Sequence, residues 1–198
     1  MSTIAVLGRG RVGNALATAL THAGHEVSVA DSSPGAAAAA TATAQIVVNA
    51  TPGAGSLERL TTLGERLRAK ILIDIANATV DGPDGLPAGL LYPGSSLAEQ
   101  LQAALPDTHV VKTLNTMLYT VMTAPSILTR APTVFLSGDD AQAKQVVAGL
   151  LTDLGWHQEW ITDLGGIETA RATEAAILFV PHVIRSRGFA PFAISIVH

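Results

Sequence analysis

Ile4-Ala5-Val6-Leu7-Gly8-Arg9-Gly10-Arg11-Val12-Gly13 is the stretch that decides the fold. Its first four residues form an apolar run that reads as a buried strand. The residues after it, Asn14-Ala15-Leu16-Ala17-Thr18-Ala19-Leu20, read as a helix. A strand, a glycine loop and a helix in this order cradle a dinucleotide. Gly8 permits the tight turn, Gly10 lets the backbone approach a pyrophosphate, and Gly13 lets helix and strand pack closely. The N–H groups at the helix start then face the phosphates, with the helix dipole behind them. Arg9, Arg11 and Val12 complete the predicted phosphate loop.

The next element supports the same reading. The helix ends at Ala23-Gly24-His25, and Val27-Ser28-Val29-Ala30 reads as a second strand. It runs into Asp31, roughly 20 residues past the glycines, where an acid commonly meets the adenosine ribose hydroxyls. Ser32 and Ser33 follow it in the same predicted nucleotide contact.

The chain has 198 residues, 48% of them hydrophobic and 14% charged, which fits a compact α/β domain with a sizeable core. A net charge of −4, with no basic cluster, argues against a nucleic-acid surface. There is no cysteine, hence no disulfide framework, thiol nucleophile or thiolate metal site. Met1-Ser2-Thr3 runs straight into the first strand, leaving no room for a signal peptide. The apolar stretch from Ala175 to Ile184 is interrupted by Pro181 and His182 and is too short to span a membrane. These features lead us to expect a soluble, cytoplasmic protein.

Strand and helix alternate along nearly the whole chain, which predicts a Rossmann-type, doubly wound, mostly parallel sheet. We expect one domain over residues 1–198, with a core to about 138 and a C-terminal helix-strand extension from 139. The alanines Ala36–Ala40 read as a short helix. Gln45–Ala50 reads as strand three, and Leu57, Leu60, Leu63 and Leu67 recur at helical spacing. Ile71–Ile75 reads as strand four and Ala78–Tyr92 as a long loop. A helix is predicted over about Ser96–Leu105, strand five over His109–Thr113 and strand six over Thr133–Leu136. Asp139 and Asp140 read as the cap of a helix carrying Val146, Val147, Leu150, Leu151 and Leu154. A short strand at Trp156–Trp160, a long helix from about Ile167 to Arg185 and a last strand at Phe192–Val197 complete the reading. In an open parallel sheet, ligands bind beyond the carboxyl ends of the strands. That rule collects Gly8–Gly13, Asp31, Ala50-Thr51-Pro52, Ala76-Asn77 and Asn115-Thr116-Met117 along one edge.

The groups that would do acid–base work are conspicuously few. The six histidines show no metal-ligand spacing. Nucleophile elbow, HExxH and Walker motifs are absent, and Tyr119 is followed four residues later by Thr123 rather than lysine. No catalytic acid, base or metal ligand is therefore assigned. Hydride transfer between two redox cofactors tolerates this, because it needs positioning more than proton transfer by the protein.

Taken with these marks, the chain resembles the short members of the coenzyme F420-dependent NADP oxidoreductase family. The resemblance is carried by Gly24-His25-Glu26-Val27, Asp74-Ile75-Ala76-Asn77 and Val111-Lys112-Thr113-Leu114-Asn115-Thr116. Ser137-Gly138-Asp139-Asp140 and Pro191–Val197 also carry it. The same fold forms the reductase domain of the STEAP metalloreductases, which reduce a flavin. The resemblance implies hydride transfer between a nicotinamide and a deazaflavin or flavin. It also implies that Ala50, Thr51 and Pro52 line the nucleotide ribose, that Ala76 and Asn77 lie near the nicotinamide, and that Asn115, Thr116 and Met117 border the hydride acceptor.

One departure concerns the nicotinamide. Family members that use NADP usually carry a Ser-Arg or similar basic pair after strand two, whereas this chain has Asp31-Ser32-Ser33 and no Lys or Arg between Arg11 and Arg59. An acid there repels a 2′-phosphate and favours a ribose diol, so NADH is expected over NADPH, with Arg9 or Arg11 left as the cations able to swing toward a 2′-phosphate. Lys112, Arg171, Arg185 and Arg187 are the cations available to an anionic deazaflavin tail. Lys112 itself reads as an end-of-strand lysine snorkelling to solvent. A reductase of a small organic carbonyl or imine, and a non-catalytic dinucleotide-binding module, remain alternatives. The apolar Ile177–Ile184 segment and the last strand mark a candidate homodimer surface, with a small molecule as the other partner.

Overall fold

The computed structural model describes residues 1–31 and 33–197. Its centre is a five-stranded parallel sheet in the order β2-β1-β3-β4-β7. The first half of the chain supplies β1 (Thr3–Leu7), α1 (Arg11–His22), β2 (Glu26–Ala30), α2 (Pro34–Thr43) and β3 (Ile46–Asn49). It continues with α3 (Ser56–Thr61), α4 (Gly64–Leu67) and β4 (Ile71–Asp74). A hairpin of β5 (Thr79–Asp81) and β6 (Pro87–Leu90) precedes α5 (Leu97–Ala104) and β7 (His109–Lys112). The remainder holds α6 (Tyr119–Met122), β8 (Val134–Leu136), α7 (Ala141–Asp153), β9 (Ile161–Asp163), α8 (Ala170–Ala175) and α9 (Val180–Arg187).

The apolar middles of β1, β3, β4 and β7 are covered on both faces of the sheet, whereas the edge strand β2 leaves Glu26, Ser28 and Val29 exposed. Side chains alternate along each strand. Ile4, Val6, Ile46, Val48, Ile73 and Val111 face one layer, where they meet Leu16 and Leu20 of α1 and Val147, Leu150 and Leu151 of α7. Ala5, Leu7, Val47, Leu72 and Val110 face the other, against Leu60, Leu67, Leu97 and Leu101. Trp156 is buried behind α7 and donates its indole N–H to the Met122 carbonyl, 3.0 Å away. The strand order reverses between β1 and β3, so their following loops diverge and leave a crevice at the carboxyl edge.

Several expectations need correction. Ala78–Tyr92 contains the antiparallel β5–β6 hairpin, which short, Gly- and Pro-rich strands had masked. The leucines at 57–67 lie on two short helices rather than one. Strand six exists as β8, but it pairs in parallel with β9 in a separate two-stranded sheet, and a Lys112–Ser137 bridge just past its end ties it to β7. The strand expected at Trp156–Trp160 is displaced to Ile161–Asp163, after a single 3-10 turn at Gln158–Trp160. The long helix is broken into α8 and α9, with 3-10 turns at Ile167–Thr169 and Ala176–Phe179; Pro181 sits in the first turn of α9, where a missing N–H is tolerated. Phe192–Val197 is not a strand. It docks by a Met117–Ala193 bridge and by the amides of Leu118 and Thr133 donating to the Phe192 and Ile194 carbonyls. Asp140 does cap α7, accepting from Ala143 N at 2.7 Å, while Asp139 accepts from Ile167 N at 2.8 Å.

Candidate functional site

The glycine loop is built by exclusion. Gly8 has φ +119° and donates its N–H to the Ala30 carbonyl at 2.8 Å; a Cβ there would lie 2.4 Å from the Ala50 carbonyl oxygen. A Cβ on Gly13 would lie 2.0 Å from the Gly8 carbonyl oxygen, so helix and strand touch backbone to backbone. Gly10 differs from both: a Cβ there would meet no protein atom within 4 Å. It is the N-cap of α1, without a side-chain cap, and the Arg9 carbonyl is held by Asn14 Nδ2 at 2.9 Å. The first N–H groups of the 12-residue helix thus face open space, as an anionic phosphate requires. Arg11 lies over the Tyr119 ring at 5.7 Å, a cation–π contact that brings α6 to the loop.

Asp31 stands exposed at the end of β2, and Ser32 lies outside the described residues. The Ser33 hydroxyl (2.5 Å) and amide (2.9 Å) both donate to Asp31 Oδ1. These two bonds, with the charge of Arg9 adding to them, hold the carboxyl below the usual carboxylate range. Asp31, Leu7, Ala37, Thr51 and Arg59 border a hollow of about 30 Å³. A cation absent from the neighbouring sequence is therefore present in space. Arg59 is largely spoken for by the β3–α3 loop, its Nη2 donating to Pro52 O at 2.5 Å, Ala54 O at 3.2 Å and Thr51 Oγ1 at 3.3 Å. Its Nε is buried without a partner among the described residues.

Beyond the glycine loop lie two adjoining cavities of about 330 and 590 Å³. The smaller is walled by Val12, Ala50-Thr51-Pro52-Gly53, Ala76 and Tyr119; the larger by Asn115, Thr116, Phe179, Val183 and Arg187. They share Asn77, Met117, Met122, Ile177, Val180 and Phe192. The two asparagines singled out from the sequence meet at this junction in a reciprocal pair: Asn77 Nδ2 donates to the Asn115 carbonyl and Asn115 Nδ2 to Asn77 Oδ1, each at 2.9 Å. Two backbone features support it. Leu114 is held at φ +60°, a conformation costly for a non-glycine residue by about 1–2 kcal/mol, and it turns the chain into Asn115. Gly53 lies so close that a Cβ would be 2.1 Å from the Asn77 carbonyl oxygen.

Beneath the edge runs a buried polar chain. Thr51 Oγ1 donates to Asn49 Oδ1 (2.6 Å), Asn49 Nδ2 to Asp74 Oδ1 (2.8 Å), and Lys112 Nζ to Asp74 Oδ2 (2.8 Å). Lys112 also bonds the Ala76 carbonyl and Glu174 Oε1, the latter at 2.8 Å. Lys112 is therefore no snorkelling residue: it is 1% exposed, with Asp74 at 0% and Glu174 at 2%. Burial alone would lower the ammonium pKa, but the charges of Asp74 and Glu174 outweigh it and raise it.

Of the cations available to an anionic ligand, Lys112 is thus enclosed, Arg171 pairs with Glu99 (2.6 Å) and Arg185 with Asp84 (2.6 Å); Arg187 lines the larger cavity. Sequence reasoning missed Arg59, Glu174 and the apolar wall from Met122, Ile177, Val180 and Phe192. The apolar wall carries no motif, and Arg59 and Glu174 reach the site only through the fold. Among the described residues, no cluster of three metal-ligating side chains and no helix long and apolar enough to cross a membrane occurs.

The residues therefore fit a dinucleotide: a glycine cradle open at Gly10, a helix N-terminus behind it, an acid at the end of β2 and an asparagine pair past β4 and β7. Comparison with known proteins agrees. The family model for coenzyme F420-dependent NADP oxidoreductases matches residues 3–56. A candidate F420-dependent NADP-reductase from Arthrobacter sp. FB24 is 38% identical, with all of both chains covered and a TM-score of 0.90. A protein from Sinorhizobium meliloti is 26% identical over 85% of this chain and 88% of its own, with a TM-score of 0.66. An imine reductase from Myxococcus stipitatus in complex with NADP+ shares the fold at 16% identity, over 93% of this chain and 62% of its own, with a TM-score of 0.65. No curated protein matches. The chain belongs to the F420-dependent NADP oxidoreductase family and is an NAD(P)-dependent oxidoreductase.

Proposed function

We propose that the protein transfers a hydride between a nicotinamide dinucleotide and a second ring-shaped redox cofactor, a deazaflavin of the F420 type or a flavin. The observation that carries this reading is the pair of adjoining cavities joined at Asn77. Among the described residues, neither is lined by a carboxylate, histidine or lysine. When bound, the reduced nicotinamide supplies the hydride, and the proton that accompanies it comes from water. The chain contributes binding and orientation. Gly8, Arg9, Gly10, Arg11, Val12 and Gly13 hold the pyrophosphate at the α1 N-terminus, and Ala50, Thr51 and Pro52 line the ribose. Ala76 and Asn77 border the nicotinamide. Asn115, Thr116 and Met117 border the acceptor, with Arg187 the cation for its anionic part. A cavity of about 590 Å³ is of the size that ring ligands occupy, and its largely apolar wall suits a flat ring.

NADH is the preferred nicotinamide in this reading, because the ionised Asp31 carboxylate opposes a 2′-phosphate and Arg59 spends its Nη2 on the β3–α3 loop. A lower dissociation constant for NADPH than for NADH at matched ionic strength would overturn that preference. Phe179 and Phe189, each about two-thirds exposed, support a homodimer, for which light scattering should give twice the chain mass. The reaction class is tested by anaerobic addition of oxidised F420, and separately of FMN, to protein holding reduced nicotinamide. Bleaching of the acceptor is expected. Tight nicotinamide binding without transfer to either would move the reading to an organic carbonyl or imine, or to a binding module.

A further inference from the structure

We infer that Lys112, acting with Glu174, is a positioning residue that ties the nicotinamide wall of the cleft to the acceptor wall. The inference rests on the proposed function for what the two walls hold, but the mechanical link stands on contacts alone.

The three ammonium protons of Lys112 meet three acceptors: Asp74 Oδ2, the Ala76 carbonyl and Glu174 Oε1. Ala76 immediately precedes Asn77, so the lysine fixes the backbone that aims the Asn77 amide at Asn115. Glu174 lies on α8, one residue short of the segment from Ala176 to Val183 that lines the larger cavity. Its carboxylate also takes the first amides of α5, Leu97 N at 3.0 Å and Ala98 N at 3.2 Å. It thus occupies a site where the helix favours negative charge. One buried cation consequently touches the loop behind the nicotinamide and the helix behind the acceptor. A buried pair of this kind gives little net stability over an apolar replacement. Its fixed, saturated geometry is what a hydride transfer between two separately held rings requires.

Glu174→Gln tests this on the intact protein, since it keeps the shape and leaves Asp74 and Lys112 as a balanced pair. Glu99→Gln is the control: it removes the same charge from the exposed Arg171 bridge between the same helices without touching Lys112. In single turnover with NADH and F420, Glu174→Gln should slow transfer at least tenfold at full amplitude, with the NADH dissociation constant within twofold of the parent. Glu99→Gln should leave the rate constant within twofold. Reduced amplitude at an unchanged rate constant would mean a merely structural role and would overturn the inference. Hydrogen exchange decides the link independently of any acceptor. In Glu174→Gln, residues 75–79 and 176–183 should together lose protection at least fivefold, while residues 3–20 keep theirs. Protection lost on one side only, or on neither, would overturn the inference. A parent protein that transfers to no ring acceptor would refute the proposed function and leave the exchange result to decide the link.

Discussion

The two ends of the cleft are made differently. The nucleotide end is local: Gly8, Gly10 and Gly13 all lie between the buried strand β1 and the start of α1. The other end, the two adjoining cavities proposed to hold the nicotinamide ring and its acceptor, is assembled from distant pieces. Asn77 comes from the loop after β4, Asn115 from the turn after β7, Val180 from α9 and Phe192 from the docked C-terminal segment. A site made from one contiguous stretch carries its signature in spacing, whereas a site made from four segments carries it only in three dimensions. Within that assembled end, Lys112 joins the loop that carries Asn77 to α8.

The largest effect should come from that junction. Lys112→Met would leave Asp74 and Glu174 facing each other in a dry interior, at a cost of about 3–5 kcal/mol; chemical denaturation measures it. The two central glycines should then separate architecture from binding. Gly13→Ala forces a Cβ against the Gly8 carbonyl and should cost about 1–3 kcal/mol of stability along with nucleotide affinity. Gly10→Ala meets open space, so its stability should change by about 1 kcal/mol or less while the NADH dissociation constant rises at least tenfold. Equal destabilisation by the two would break the assignment of Gly10 to the phosphate.

At the junction of the two cavities, Asn77→Ala strips the Asn115 amide of its partner and should lower turnover by about tenfold to a hundredfold, with a smaller change in NADH affinity. Isothermal titration beside steady-state rates separates the two. Asp31→Asn should narrow the ratio of NADPH to NADH dissociation constants, by about tenfold, the equivalent of about 1.4 kcal/mol.

The pH dependence is the smallest effect. The Glu99 carboxyl feels burial pushing it up, but the bonds from Arg171 and Ser96 win and lower it. The stability it contributes is complete above the ordinary glutamate value, about 4.3, and is lost as pH falls through the lower folded value. Lys112 is raised, so its contribution is complete below about 10.4 and is lost only as pH climbs through the folded value. Thermal melting should therefore show no loss from either group between these limits. A break near neutrality that vanished in Glu99→Gln would contradict the sign.

Much of the fold could be read because continuous apolar runs and glycine turns are short-range signals. That held for β1 to β4, for α7 with its Asp140 cap, and for the collection of loops at one sheet edge. The rest depended on partners far along the chain. The β5–β6 hairpin is paired through weak strand formers, Gly89 and Pro87 among them. Phe192–Val197 has strand-like residues but is held by a bridge at Met117 and by scattered bonds with Leu118, Ala131 and Thr133 rather than by a strand ladder. Lys112 looked like an exposed strand end because nothing in its neighbourhood announces that Glu174 will cover it. Arg59 likewise comes to the Asp31 hollow only because α3 follows β3 back along the edge.

The most direct test of hydride transfer across the Asn77 junction is the fate of deuterium carried on the reactive carbon of NADH. Under anaerobic single turnover with oxidised F420, the reduced deazaflavin should carry deuterium bound to carbon, and the transfer step should be slowed. Reduced deazaflavin carrying only solvent hydrogen, or no reduction while NADH stays bound, would contradict it.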